Sequence, residues 1–194
     1  MTELTDLLAR AWAHLHQSAE IRDTGFRMVQ IATLGLGRAP ELRTVVLRGA
    51  DPEARTVRFH TDARSPKIKE LRNNPAVSLV SYNRNDGQQI RLQGHAEIVH
   101  DRDVAKGFWN QARDQSKICY RAKHAPGARL SDPASGFITE TMRAPTSPEA
   151  GFENFCPVII RVERVDWLDL AISGHQRAVF VWDGAEWCSD WVAP

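Results

Sequence analysis

Leu42 to Pro75 reads LRTVVLRGADPEARTVRFHTDARSPKIKELRNNP, and this stretch decides the fold. Leu42–Leu47 is a run of strand formers that ends at Arg48. The turn-forming Gly49-Ala50-Asp51-Pro52 follows, and then a second strand over Thr56–Thr61, where Val57 and Phe59 alternate with Arg58 and His60. Next comes a helix start. Ser65 stands at the N-cap and Pro66 at the first helical position, where its missing N–H costs nothing. Ile68 and Leu71 form the buried stripe of that helix, and Asn74-Pro75 closes it.

The charges of this helix sit at the unexpected end. A helix N-terminus favours carboxylates, yet Arg64 precedes the cap and Lys67 and Lys69 lie just inside it. Two readings fit. An anion is held there by free backbone N–H groups, Ser65 and Lys67; or the cations are solvated and cost about 0.3–1 kcal/mol each.

Working outward, residues 3–18 place Leu4, Leu7, Leu8, Ala11, Trp12 and Leu15 on one helical face. His14 and His16, two apart, point to different sides and make no metal site. Phe26–Leu34 is a first strand. Gly35–Pro40 imitates a dinucleotide loop, but no helix follows it, so it reads as a hairpin turn. Ala76–Tyr82 carries apolar residues on both faces, Val77 and Leu79 on one and Val80 and Tyr82 on the other, as in a mid-barrel strand. After a turn at Asn83–Gly87, Gln88–Val99 alternates cleanly, broken at Gly94 by a bulge or a close ligand approach. Asp101 caps a helix through Ala112, and a shorter helix spans about Ser116–Lys123. Residues 125–154 form a long loop of lid type. Strands over Phe155–Leu170, Arg177–Trp182 and Ala185–Trp191 finish the chain, with Trp182, Trp187 and Trp191 expected in the core or a dimer interface.

Composition bounds the partners. The 194 residues make one domain, residues 1–194, with 42% hydrophobic and 25% charged residues. A net charge of +1 speaks against nucleic acid or an anionic membrane as main partner. Cys119, Cys156 and Cys188 are odd in number and widely spaced, which reads as reduced thiols in a cytoplasmic protein. No apolar run approaches the roughly 20 residues of a membrane span, and the first residues do not open a signal peptide.

The pattern Arg43-x-Val45-x-Leu47-Arg48, Phe59-His60-Thr61-x-x-x-Ser65-x-Lys67 and Asn73-Asn74-Pro75 resembles the flavin-binding core of the pyridoxamine 5'-phosphate oxidase family. The resemblance extends to Gln89, Gly94, His175-x-Arg177 and Val192-Ala193-Pro194. It implies a six-stranded antiparallel split β-barrel of Greek-key type with flanking helices, a homodimer with FMN at the subunit interface, and an FMN-dependent oxidoreductase acting on a small molecule. By the same resemblance Arg43, Ser65, Pro66 and Lys67 hold the FMN phosphate. Thr44, Val45, Val46, Leu47 and Arg48 run beside the ring, His60 and Thr61 touch it, Gln89 bonds its edge and Arg177 approaches it. Arg43 and Arg48 have opposite strand parity and serve one flat face only if the strand bends. No Ser/His/Asp or paired-carboxylate motif accompanies them.

The departures from the family pattern bear on substrate. Pro66 stands where the family has a basic residue, and Leu168 where it has a flavin-stacking tryptophan, unless Trp167 substitutes by a shift of one. The family grips its substrate phosphate with a lysine, a tyrosine, an arginine and a serine; the matching positions hold Arg48, Gly107, Gln111 and Gln115 or Ser116, with Arg113 nearby. Ser173 replaces an arginine ahead of His175, which is retained. The substrate set is thus Arg48, Gln111, Arg113, Ser116 and His175, with pyridoxamine 5'-phosphate a poor fit. A non-catalytic flavin carrier or sensor, or a split barrel using deazaflavin or haem, are the alternatives.

Overall fold

The computed structural model describes residues 3–22, 24–136, 138–144 and 147–194. Helix α1 (Glu3–Glu20) buries Leu7, Leu8, Ala11, Trp12 and Leu15 on the apolar face that its spacing sets up. Strands β1 (Met28–Leu34), β2 (Pro40–Asp51) and β3 (Thr56–Asp62) precede α2 (Pro66–Asn73). Strands β4 (Ala76–Asn83) and β5 (Gln88–Ile98) lead to α3 (Arg102–Gln111) and the one-turn α4 (Asp114–Lys117). A loop region holding α5 (Glu140–Arg143) and short 3-10 turns runs to β6 (Phe155–Asp169), β7 (Gln176–Trp182) and β8 (Trp187–Trp191).

Every strand pairing is antiparallel, in the order β3-β2-β1-β4-β5-β6-β7-β8, and β3 pairs with β6. Six strands therefore close a barrel, and β7 and β8 extend the sheet beyond it. The order β3-β2-β1-β4 is a Greek key. The long β6 does two jobs: its first half seals the barrel against β3 and its second half carries the extension. Inside, Ile31, Val45, Leu47, Phe59, Leu79, Leu92, Val158 and Val165 form one core with the buried face of α1. Ile68 and Leu71 anchor α2 in that core, so its N-terminus is held rigidly relative to the barrel.

Three local expectations need correcting. Gly49-Ala50-Asp51 is not a turn: β2 runs on to Asp51, and Pro52–Arg55 makes the reversal. Leu47 pairs with Phe59 and Gly49 with Arg58, leaving Arg48 as the extra residue of a β-bulge. The glycine gives that approach room, since a Cβ on Gly49 would lie 3.1 Å from the Arg58 guanidinium. Next, β4 is covered on one face only. Val77 and Leu79 are buried, whereas Val80 is half-buried and Tyr82 is 47% exposed. Finally, Gly94 does mark a bulge, but the extra residue is Glu163 on β6. What comes close is backbone and not a ligand, because a Cβ at Gly94 would sit 2.0 Å from the Arg161 carbonyl oxygen.

Candidate functional site

The first cluster forms where β3 hands over to α2. Val57, Phe59 and Thr61 alternate inward, so Thr61 reaches the barrel rim beside Ser65. Lys67 Nζ donates to Ser65 Oγ at 2.8 Å and Thr61 Oγ1 at 3.0 Å. Ser65 precedes the helix without capping it by a side-chain hydrogen bond; its hydroxyl is turned to Lys67. Arg43 comes in from β2, donating through Nη2 to Glu70 Oε2 at 2.7 Å and through Nη1 to Thr33 Oγ1. Thr33 in turn donates to the same Glu70 oxygen at 2.5 Å. Burial, and next the Arg43 guanidinium, press the Lys67 ammonium below its ordinary value, against the opposing pull of Glu70 and Asp62.

This cradle offers an ammonium, a guanidinium edge, two hydroxyls and the first N–H groups of a helix, a donor set suited to a tetrahedral anion. Only one of the three cations noted at the helix start belongs to it. Arg64 forms a two-pronged pair with Asp62, at 2.7 and 3.0 Å, and donates to the Ala122 carbonyl. Lys69 is exposed. The turn at Gly127 lies against the Pro66 ring, so the start of the long loop flanks the cradle.

The second cluster is on the opposite face of the same two strands. Arg58 and His60 point out of the barrel, and the bulge carries Arg48 to the same place. There they line a cavity of about 310 Å³ with Phe108, Gln111 and Arg113. Arg48 Nη2 donates to Ser116 Oγ at 3.4 Å. The Arg58 guanidinium stacks 3.8 Å above the Phe108 ring and donates to the Arg48 carbonyl at 2.8 Å. His60 packs against Phe155 and Phe108, and its Nε2 meets no hydrogen-bond partner among the described residues. Burial, with Arg58 and Arg48 behind it, drives the His60 pKa down to about 3, so the imidazole is neutral. At neutral pH it is a packing group, not an acid.

The third group lies across the outer face of the sheet. Tyr82, Gln89, Leu168 and Arg177 are register partners in one row over β4, β5, β6 and β7. Arg177 is held by Asp166 through two hydrogen bonds of 2.8 and 3.0 Å, and Arg91 stands 3.7 Å from the same carboxylate. Leu168 occupies this row; Trp167 is buried on the core side and does not replace it. His175 is exposed at the β6–β7 connection. Gln89 and Arg177 are thus brought together, but not with Lys67. Gln89 pairs with Leu168 and Thr61 with Cys156, twelve residues apart on β6, which is roughly 40 Å of extended strand.

Thr33, Glu70, Arg58 and Phe108 escape the sequence reading. Arg58 had a signal, since it shares strand parity with His60. Thr33 and Glu70 are 37 residues apart, and nothing local links them. Among the described residues no cluster of His, Cys, Asp and Glu suits a metal ion, and no helix is long and apolar enough to cross a membrane.

Residues 9–100 match the family described as pyridoxamine 5'-phosphate oxidase, FMN-binding domain. The pyridoxine/pyridoxamine 5'-phosphate oxidase 2 of Arabidopsis thaliana is 29% identical over 160 residues, covering 78% of this chain and 77% of its own. A pyridoxine/pyridoxamine 5'-phosphate oxidase of Gluconobacter oxydans is 29% identical over 188 residues, covering 93% and 89%. Among solved structures, a pyridoxamine 5'-phosphate oxidase-related FMN-binding protein of Nostoc punctiforme superposes with a TM-score of 0.77 at 22% identity, over 100% of this chain and 99% of that one. PhzG of Burkholderia lata, solved with tetrahydrophenazine-1-carboxylic acid, gives 0.77 at 21% identity over 100% and 94%. These two likenesses establish the fold.

Proposed function

We propose that this chain, whose residues 9–100 match the FMN-binding domain of the pyridoxamine 5'-phosphate oxidase family and whose fold is that of an FMN-binding relative, is an FMN-dependent oxidoreductase of that family working as a homodimer. The observation that carries this is the cradle of Thr61, Ser65 and Lys67 at the N-terminus of α2, with Arg43 at its side. Its surplus of donors and of positive charge fits the cofactor's phosphate. FMN, when bound, supplies the hydride-accepting ring. The protein's part is to bind and orient. Lys67 and Arg43 would hold the phosphate, and Glu70 and Thr33 fix the Arg43 guanidinium in place.

A second copy completes that site. Gln89 and Arg177 lie too far along the sheet to meet a flavin held by Lys67 in the same protomer, so the partner provides them. The outer face of β2, β1 and β4 supports the pairing. It leaves Leu42 68%, Met28 52% and Tyr82 47% exposed, apolar side chains of the kind an interface covers. Trp182 stacks on Arg55 and meets Trp187 edge to face, and Trp187 in turn packs against the edge of the main core.

The cofactor reading is tested by adding FMN to the purified protein, desalting, and measuring retained flavin absorbance per chain. One flavin per chain is expected, and none retained refutes the reading. Sedimentation tests the assembly: a stable monomer that still holds flavin contradicts it.

A further inference from the structure

The Arg48 cavity has a charge pattern unlike that of the phosphate cradle. Arg48 and Arg58 are both half-buried, and neither makes an ion pair among the described residues. Burial lowers the pKa of each. Two guanidiniums withdrawn from water with no counter-ion are costly unless an anion joins them. The rest of the wall limits how much negative charge is welcome. The C-terminal ends of α1 and α3, at Glu20 and Gln111, both border the cavity, and helix C-termini repel anions. The Glu20 carboxylate stands there as well. Of the two further cations of the wall, Arg27 is committed to the Ser18, Ala19 and Ile21 carbonyls of the α1 terminus, and Arg113 is exposed to solvent at the rim. The phosphate cradle, by contrast, sits at a helix N-terminus.

The remaining wall is flat. Phe108 lies under the Arg58 guanidinium at 3.8 Å, with the His60 ring 6.1 Å from Phe108. Stacking and the bond to the Arg48 carbonyl fix the plane of Arg58, which pre-organises its fork for a planar two-oxygen anion. We propose that this cavity binds a flat organic acid through its single carboxylate, with Arg58 as the specificity-determining residue that grips it beside Arg48. Resting on the oxidoreductase reading, the acid is the reacting molecule. The cavity favours a monoanion over a phosphate ester, which brings two negative charges to two helix C-termini.

Titration calorimetry at pH 8 with benzoate and phenyl phosphate as probes tests this, on the purified protein with and without added FMN. Benzoate is expected to bind the wild type, and phenyl phosphate, a dianion at that pH, at least about fivefold more weakly. Arg58→Gln is expected to weaken benzoate on the order of tenfold or more. Arg58→Lys, which keeps the charge and loses the fork, is expected to weaken it about threefold and carries the test if the glutamine variant does not fold. Absence of benzoate binding, unchanged affinity in both variants, or tighter binding of phenyl phosphate each overturns the proposal. Arg58-dependent benzoate binding by protein that takes up no FMN upholds the cavity and sinks the cofactor reading. FMN uptake without benzoate binding does the reverse.

Discussion

Consider acidification acting on His60. Its ring is enclosed by Phe155 and Phe108, and its pKa falls from 6.5 to about 3 on folding, through burial first and the Arg58 and Arg48 charges next. The folded value is depressed, so the unfolded chain takes up the proton first. The contribution to stability is whole above pH 6.5 and is lost progressively as pH falls toward 3. Between pH 7 and pH 5 the unfolded imidazole goes from mostly neutral to almost fully charged while the folded one stays neutral. Integrating over that interval gives a loss of about 2 kcal/mol per chain from this group alone. Urea unfolding of the wild type and of His60→Phe, at both pH values and at fixed protein concentration and flavin loading, isolates the contribution. The wild type should lose about 2 kcal/mol more than the variant over this interval. Equal losses in the two proteins would show that His60 is protonated in the folded state and that its enclosure is misjudged.

Two further outcomes follow from the geometry. Gly94→Ala drives a methyl group into the Arg161 carbonyl, 2.0 Å from the ideal Cβ position, and should cost about 3 kcal/mol or more, lowering the melting temperature by roughly 10 °C; an unchanged melting curve refutes the bulge register. FMN-loaded protein should oxidise pyridoxamine 5'-phosphate with kcat/KM below about 10⁴ M⁻¹s⁻¹, because Gly107 and Gln111 supply no charged contact to its phosphate; a higher value, read from product absorbance and oxygen uptake, shows that Arg48, Arg113 and Ser116 suffice.

Elements whose periodicity is local were legible in the sequence. The apolar stripe of α1, the Gly35–Pro40 hairpin and the alternation of β5 all matched the folded chain, since each is settled by burial of one face. The Ser65-Pro66 helix start was legible for the same reason, and its misplaced lysine pointed to the cradle. The bulge at Arg48 was not. Gly49-Ala50-Asp51-Pro52 has turn composition, and only pairing with β3 keeps Gly49 through Asp51 extended. The single covered face of β4 was likewise illegible, because an uncovered Val80 and Tyr82 look like core residues in a single chain's sequence. Glu70 could not be found beforehand, because its role depends on Thr33 and Arg43 arriving from other strands. The separation of Gln89 from Lys67 also needed the register of β6, and it turns a list of site residues into an argument for two copies.

The central claim is that Lys67 and its neighbours hold a phosphate. Calorimetric titration of the flavin-free protein with FMN and with riboflavin, which has the same ring and no phosphate, tests it most directly, in the wild type and in Lys67→Ala. The wild type should prefer FMN. Removing the ammonium should weaken FMN by about 1.5–3 kcal/mol, between tenfold and a hundredfold or so, and leave riboflavin within about threefold. Equal weakening of both ligands, or none of either, would place the phosphate elsewhere and contradict the account.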